Sequence, residues 1–193
     1  MQILKDEIRN AILEEAMRLF LRHGYSNCTM RMIAIEVKIS VSLIYKYYAN
    51  KEKLYEVLVK DVYERFLSSS ESFLAEENDG NYTEENIRYV SKRFATILNN
   101  IRPQFLLLMS NPEAPLCNDL PKMLKEKLTM HIMEGTDTSA GFEPFMVGLL
   151  AGQLWDGIVE VVQETSGEEQ MESRFRQLIR YHFAGLSLFH DRP

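Results

Sequence analysis

The sequence predicts an all-α protein, with an N-terminal three-helix helix-turn-helix domain followed by a larger helical domain. Three observations carry this. Apolar residues recur three and four apart through most of the 193 residues, the spacing that lines one face of a helix. No segment sustains the alternation of a half-buried strand. Between the periodic stretches stand residues that start or stop helices, among them Gly24, Thr29, Ser40, Asn50, Pro112 and Pro115. At 46% hydrophobic and 26% charged, the chain is too apolar to stay disordered. Its length suits one globular unit or two small domains sharing a core.

In chain order, Ile8, Ile12, Ala16, Leu19 and Phe20 form one face of the first helix. Gly24 supplies its C′ residue, because glycine enters the left-handed region without a Cβ penalty. Thr29 can N-cap a short helix carrying Ile33, Ala34 and Val37 inward. Ser40 can cap the next, with Ile39 and Ile44 placed as a hydrophobic staple. Asn50 can cap a longer helix through Leu54, Leu58, Val62 and Phe66, fading in the polar stretch Ser68–Ser70 or a few residues beyond. A loop at Glu76–Asn81 leads to a helix from about Thr83 to Asn100, and Arg102-Pro103 opens a short one containing Phe105–Met109. Pro112 and Pro115 break it, since proline lacks an N–H and clashes inside a helix. The remaining helices run from about Asp119 to Met133, Glu143 to Glu164 and Glu168 to His190, separated by a loop at Gly135–Gly141 and by Thr165-Ser166-Gly167.

The formal net charge of −6 argues at first against a nucleic-acid partner. It is unevenly spread: residues 1–66 carry a net +2 and residues 67–193 a net −8. Any surface that meets a polyanion therefore belongs near the N-terminus. Cys28 and Cys117 stand alone, which suits a reducing compartment. The first residues lack the basic and apolar regions of a signal peptide. No uninterrupted apolar run approaches the ~18 residues of a membrane span; the densest, Phe145 to Leu154, is broken by Gly and Gln. The expectation is a cytoplasmic protein with no membrane partner.

Residues Thr29–Tyr48 have the layout of a helix-turn-helix, two short helices joined by Lys38-Ile39-Ser40. In this motif the second helix enters the major groove by its N-terminal residues while its neighbours grip the backbone. Residues 29–51 carry a net +3. Arg31, Lys51 and Lys53 fall in first turns of helices, where a cation opposes the macrodipole. An anion bound at those N-termini would reverse the penalty. For Lys51, with tyrosines nearby, the reading is phosphate; for Lys53 it is solvent.

The segments Ile12-Leu13-Glu14-Glu15-Ala16, Leu19-Phe20, His23-Gly24-Tyr25, Thr29, Ile33-Ala34, Ser40, Ile44-Tyr45-Lys46-Tyr47-Tyr48 and Lys51-Glu52-Lys53-Leu54 resemble the N-terminal domain of TetR-type transcriptional regulators. The match is continuous over about residues 8–58 and only architectural beyond. The resemblance implies that Thr29 and Arg31 open the first helix of the motif, with Arg31 reaching a phosphate or base edge. It places Val41, Ser42 and Lys46 on the recognition helix, Val41 and Ser42 nearest the bases, and gives Tyr45, Tyr47 and Lys51 to phosphates. The chemistry agrees: valine can touch a thymine methyl, serine can bond to more than one base, and Tyr and Lys are phosphate donors. Tyr48 is expected to pack inward. Two positions depart from the family pattern, Lys38 where the turn usually has glycine, and Ser42 where a small residue, often glycine, is usual. A non-glycine residue in the left-handed region costs ~1–2 kcal/mol unless the turn differs.

The resemblance also implies that two long C-terminal helices dimerise. Gly148 and Gly152, four apart, admit a close-packed helix and each costs ~1 kcal/mol against alanine in a helix. The last helix offers a wide apolar face with Phe175, Ile179, His182, Phe183 and Leu186. A two-fold four-helix bundle would bury it. Soft and aromatic side chains in the middle helices suit a pocket for a small, largely apolar effector, with Tyr89, Phe94, Phe105, Met109, Met130, Trp155 and Asp156 as candidate walls. Taken singly, each is more often plain core, and Asp156 with Glu160 needs no ligand as a solvated pair.

The sequence shows no Gly-rich phosphate loop, no His-Glu-x-x-His, no Gly-x-Ser-x-Gly elbow and no metal-ligand spacing, so no catalytic residue, metal or cofactor is expected. The expectation is a homodimeric regulator, with residues 1–48 binding a pseudo-palindromic operator in double-stranded DNA and residues 49–193 binding effector and dimerising. Effector binding would tilt the helix that starts at Lys51 and change the separation of the two recognition helices. One rival is a helical small-molecule module that has lost DNA binding, with Lys38 as its support. The other, an all-α enzyme using Asp156 and Glu160, lacks a catalytic partner residue.

Overall fold

The structure, a computed structural model, describes residues 2–76, 83–135 and 143–190. The described elements are α-helices: α1 (Gln2–Asn27), α2 (Met30–Glu36), α3 (Val41–Tyr47), α4 (Lys51–Glu76), α5 (Glu84–Asn100), α6 (Arg102–Ser110), α7 (Leu120–Gly135), α8 (Pro144–Glu164) and α9 (Glu168–His190). Among the described residues there is no strand. The two long loops expected from sequence lie outside the described residues for most of their length.

The starts of the helices are chemically explicit. Thr29 Oγ1 accepts from Met32 N–H, Ser40 Oγ from Leu43 N–H, Asn50 Oδ1 from Lys53 N–H, and Thr83 Oγ1 from Asn86 N–H. Each satisfies one of the donors that a helix leaves unpaired in its first turn. The sequence has α4 fading at Ser68–Ser70 or a few residues beyond, ahead of a loop from Glu76, and the helix runs to Glu76.

Packing divides the chain into two compact units. The first comprises residues 1–66 with 103–120. Its core gathers Ile12, Ala16, Leu19 and Phe20 from α1, Ile33 and Ala34 from α2, Ile44 from α3, Leu54 and Tyr55 from α4, and Phe105, Leu107 and Leu108 from α6. Phe20, Tyr25 and Tyr55 pack as a ring cluster with centroids 5.0–5.8 Å apart. This unit is thus more than the helix-turn-helix alone, because the start of α4 and residues 103–120 complete its core. Cys28 and Cys117 are free and buried, and burial pushes both thiols up, which keeps them protonated.

The second unit comprises residues 67–102 with 121–193. Here α9 packs along α5 and α8, with Phe94 of α5 against Phe175 of α9 at 5.7 Å between ring centroids. Ile132, Val147 and Ala151 form a further cluster, flanked by Leu128, Met133, Leu150 and Phe183. Arg102 closes the C-terminal end of α8, donating from Nε to Val162 O and from Nη2 to Gln163 O, both at 2.9 Å. By length and composition alone α8 is apolar enough to cross a membrane, with mean hydropathy 1.5. The sequence showed no uninterrupted run of that length, because the glycines and Gln153 break it without lowering the average much.

Candidate nucleic-acid interface

The turn between α2 and α3 sets the geometry of the motif. Lys38 has φ +60°, the left-handed conformation in which glycine is usual. Lys38 N–H donates to Ile35 O at 3.1 Å and Ile39 N–H to Ala34 O at 3.0 Å. These are the two bonds of a Schellman motif with Lys38 at C′ and Ile39 at C″. The turn is therefore closed in full by a lysine. Arg18 on α1 reinforces the arrangement, bonding to Glu15 at 2.7 Å and to Glu36 at the end of α2 at 2.9 Å.

On this frame the residues expected to meet DNA fall on one chemical theme. Val41, Ser42, Tyr45 and Lys46 of α3 are all exposed, as are Thr29 and Arg31. Tyr45 is 50% exposed, which removes core packing as its role. Ile44, on the opposite face of α3, is fully buried, so the helix is anchored by one side and presents the other. Tyr47 is half-buried and Tyr48 buried, the inward packing expected of Tyr48. Ser40 and Ser42 hydroxyls lie 3.0 Å apart. Thr29 Oγ1 accepts the capping bond, which leaves its hydroxyl hydrogen for an acceptor. Lys53 is exposed and paired with Glu56 at 2.6 Å.

Lys51 makes a contact that the sequence did not indicate. Its ammonium is half-buried, donating to Tyr25 O at 2.7 Å and lying 4.2 Å from the centroid of the Tyr25 ring. The lysine read as a phosphate contact is thus also held by its own chain. The partner residues were not legible in the sequence. Gly24 adopts φ +76°, ψ +164°, a region open essentially to glycine alone, and the helix kinks there. The C′ glycine read from sequence thus has the positive φ expected of it, while a short turn continues to Asn27.

The other candidate sites are more dispersed. Of the proposed pocket residues, Phe105 and Met109 belong to the first unit, and Tyr89, Phe94, Met130, Trp155 and Asp156 to the second. Tyr89 and Met130 are largely exposed, whereas Phe105 and Trp155 are buried. Asp156 pairs with Lys125 of α7 at 2.8 Å, so its carboxylate already has a cation. On α9, Phe175, Ile179 and His182, expected at a dimer contact, are buried within the single chain. The sequence located the apolar face but not its occupant, which on this side is α5. Phe183 is half-buried, and the side chain of Leu186 lies outside those described. A Cβ at Gly148 or Gly152 would meet nothing within 4 Å among the described residues.

Comparison with known proteins agrees with this geometry. The family of bacterial regulatory proteins designated tetR matches residues 12–58. The HTH-type negative transcriptional regulator of a Staphylococcus epidermidis biofilm operon, IcaR, is 27% identical over 126 residues, 64% of this chain and 65% of its own length. The HTH-type regulator HbdR of an Aromatoleum species is 35% identical over 63 residues, 33% of this chain and 28% of its own. The chain thus matches less than two-thirds of either curated relative. Among solved structures, a TetR-family regulator from Bordetella parapertussis superposes with TM-score 0.67 at 16% identity, covering 89% of this chain and 93% of that one. The fatty acid degradation regulator FadR of Bacillus halodurans gives 0.63 at 20% identity, covering 93% and 96%. With its helix-turn-helix closed by Lys38 and the outer face of α3 exposed, the chain is similar over residues 12–58 to the tetR family of bacterial regulatory proteins, and its fold is that of solved TetR-family regulators.

Proposed function

We propose that this protein is a ligand-released repressor that binds a pseudo-palindromic operator as a homodimer, residues 1–48 meeting DNA and residues 49–193 binding effector and dimerising. The observation that carries the reading is α3 itself: Ile44 buried beneath it, with Val41, Ser42, Tyr45 and Lys46 exposed above. A net +3 over residues 29–51 is a modest positive face, so two copies are needed for useful affinity, and binding falls with salt. Dimerisation is supported by α8. Phe145 is 74% exposed, Met146 and Leu149 are also exposed, Gly148 and Gly152 have open space beside them, and Tyr181 of α9 is 76% exposed. A second copy covering this surface would bury it in a two-fold helical bundle.

The effector is proposed to be small and largely apolar. It releases DNA by binding the DNA-free state more tightly, since a ligand shifts an equilibrium only by its differential affinity for the two states. Two structural neighbours are named for fatty acid degradation and for ketosteroids, and those compound classes head the panel for testing. The protein acts in the cytoplasm.

Gel retardation of DNA flanking its own gene tests the reading. Retention is expected, weakened by Tyr45→Phe combined with Lys51→Ala; retention unaffected by both changes removes these contacts. Native mass spectrometry should give a dimer mass. The rival is a binding module without DNA affinity, for which Lys38 was the support; a turn closed at Lys38 favours the DNA-binding reading.

A further inference from the structure

The kink at Gly24 takes the backbone of Tyr25 out of the regular helical ladder, and tertiary partners satisfy both of its polar groups. Tyr25 N–H donates to Asn111 Oδ1 at 2.7 Å, and Tyr25 O accepts from Lys51 Nζ at 2.7 Å. Asn111, just beyond α6, is only 2% exposed and spends its other side-chain group on Leu107 O at 2.9 Å. Leu107 O also accepts from Tyr55 Oη at 2.8 Å. Asn111 Oδ1 is the one atom within 4 Å of a Cβ placed at Gly24, at 3.7 Å. Ser26 Oγ donates to Glu113 at 3.1 Å and draws the same two segments together.

A buried asparagine bonded at both ends costs little, whereas leaving either partner unpaired costs the desolvation of that group. Its position therefore holds the Tyr25 peptide, and the Tyr25 carbonyl and ring in turn hold the Lys51 ammonium. Lysine has three N–H donors; one is given to Tyr25 and two remain. A freely rotating lysine would lose side-chain entropy on gripping a phosphate. Held this way, Lys51 has lost much of that freedom before DNA arrives.

We propose that Asn111 is a positioning residue for DNA binding, acting through Tyr25 to hold Lys51 at the start of α4 for a phosphate. The inference rests on the DNA-binding reading above and adds to it a residue outside the matched family segment.

The test is a double-mutant cycle on duplex DNA from the region upstream of its own gene, with affinity measured across a salt series. Lys51→Ala is expected to lower the slope of log affinity against log salt by about 0.9 for each lost phosphate contact. Asn111→Ala is expected to weaken retention about fivefold, the effect of roughly one hydrogen bond, with part of the same slope change and faster exchange of the Tyr25 amide. In the Lys51→Ala background it should have no further effect on affinity. A merely structural role would lower stability without moving the slope. Circular dichroism checks folding, and if Asn111→Ala does not fold, Asn111→Ser serves, since its shorter side chain cannot reach both partners. Additive losses, or an unchanged slope in a folded Asn111 variant, overturn the relay while leaving the DNA reading intact. Absence of retention for the unmodified protein overturns both.

Discussion

A methyl group at Gly157 would lie 2.8 Å from Leu178 Cδ1 and 3.1 Å from its Cδ2. The close approach of α8 and α9 within one chain is therefore made at Gly157, while a Cβ at Gly148 or Gly152 would meet nothing within 4 Å among the described residues. Gly157→Val should destabilise the fold by about 1–3 kcal/mol through overpacking, read as a lower urea midpoint. Gly152→Ala should leave the subunit as stable or up to about 1 kcal/mol more so, from helix propensity. The same change should weaken the proposed dimer, raising its dissociation constant in analytical ultracentrifugation; an unaltered dimer would remove Gly152 from that interface.

Lys38 carries φ +60° with both Schellman bonds in place. Lys38→Gly should raise stability by about 1 kcal/mol, the left-handed strain being relieved and partly offset by the entropy of glycine in the unfolded chain. Thermal unfolding checks this, and a decrease would mean that the lysine side chain stabilises the turn.

His182 is 9% exposed with no hydrogen-bond partner for Nε2 among the described residues, and burial pushes it down to about 4 from the ordinary 6.5. Its neutral form is thus favoured in the folded state, and the unfolded chain binds the extra proton first. Stability from this residue is complete above about pH 6.5 and is lost as pH falls towards 4, by up to about 3 kcal/mol. His182→Leu should flatten the stability profile across that window. A slope equal to that of the unmodified protein would assign the acid sensitivity to other groups.

Tyr55 Oη donates to Leu107 O at 2.8 Å and lies 3.3 Å from Cys117 Sγ, and burial raises its ionisation well above the ordinary tyrosine range. Tyr55→Phe should cost only about 0.5–1.5 kcal/mol, because Asn111 Nδ2 still serves Leu107 O. A denaturation midpoint shifted by much more would show that the carbonyl depends on the phenol.

Local chemistry made much of the fold readable from sequence. Thr29, Ser40, Asn50 and Thr83 start helices by bonds to N–H groups three residues on, and signals of that reach survive in a linear string. The exposed row on α3 was legible for the same reason, since burying Ile44 fixes where Val41, Tyr45 and Lys46 must face. The partners of those surfaces were not. Lys51 meets Tyr25, 26 residues away, and Asn111 meets the same residue from 86 away. The α9 face read as a dimer seam is partly spent on α5, and Gly157 rather than its two neighbours receives Leu178. Helical periodicity determines that a face is apolar; which element covers it depends on how several such faces pack at once, and that is settled only when the chain closes on itself.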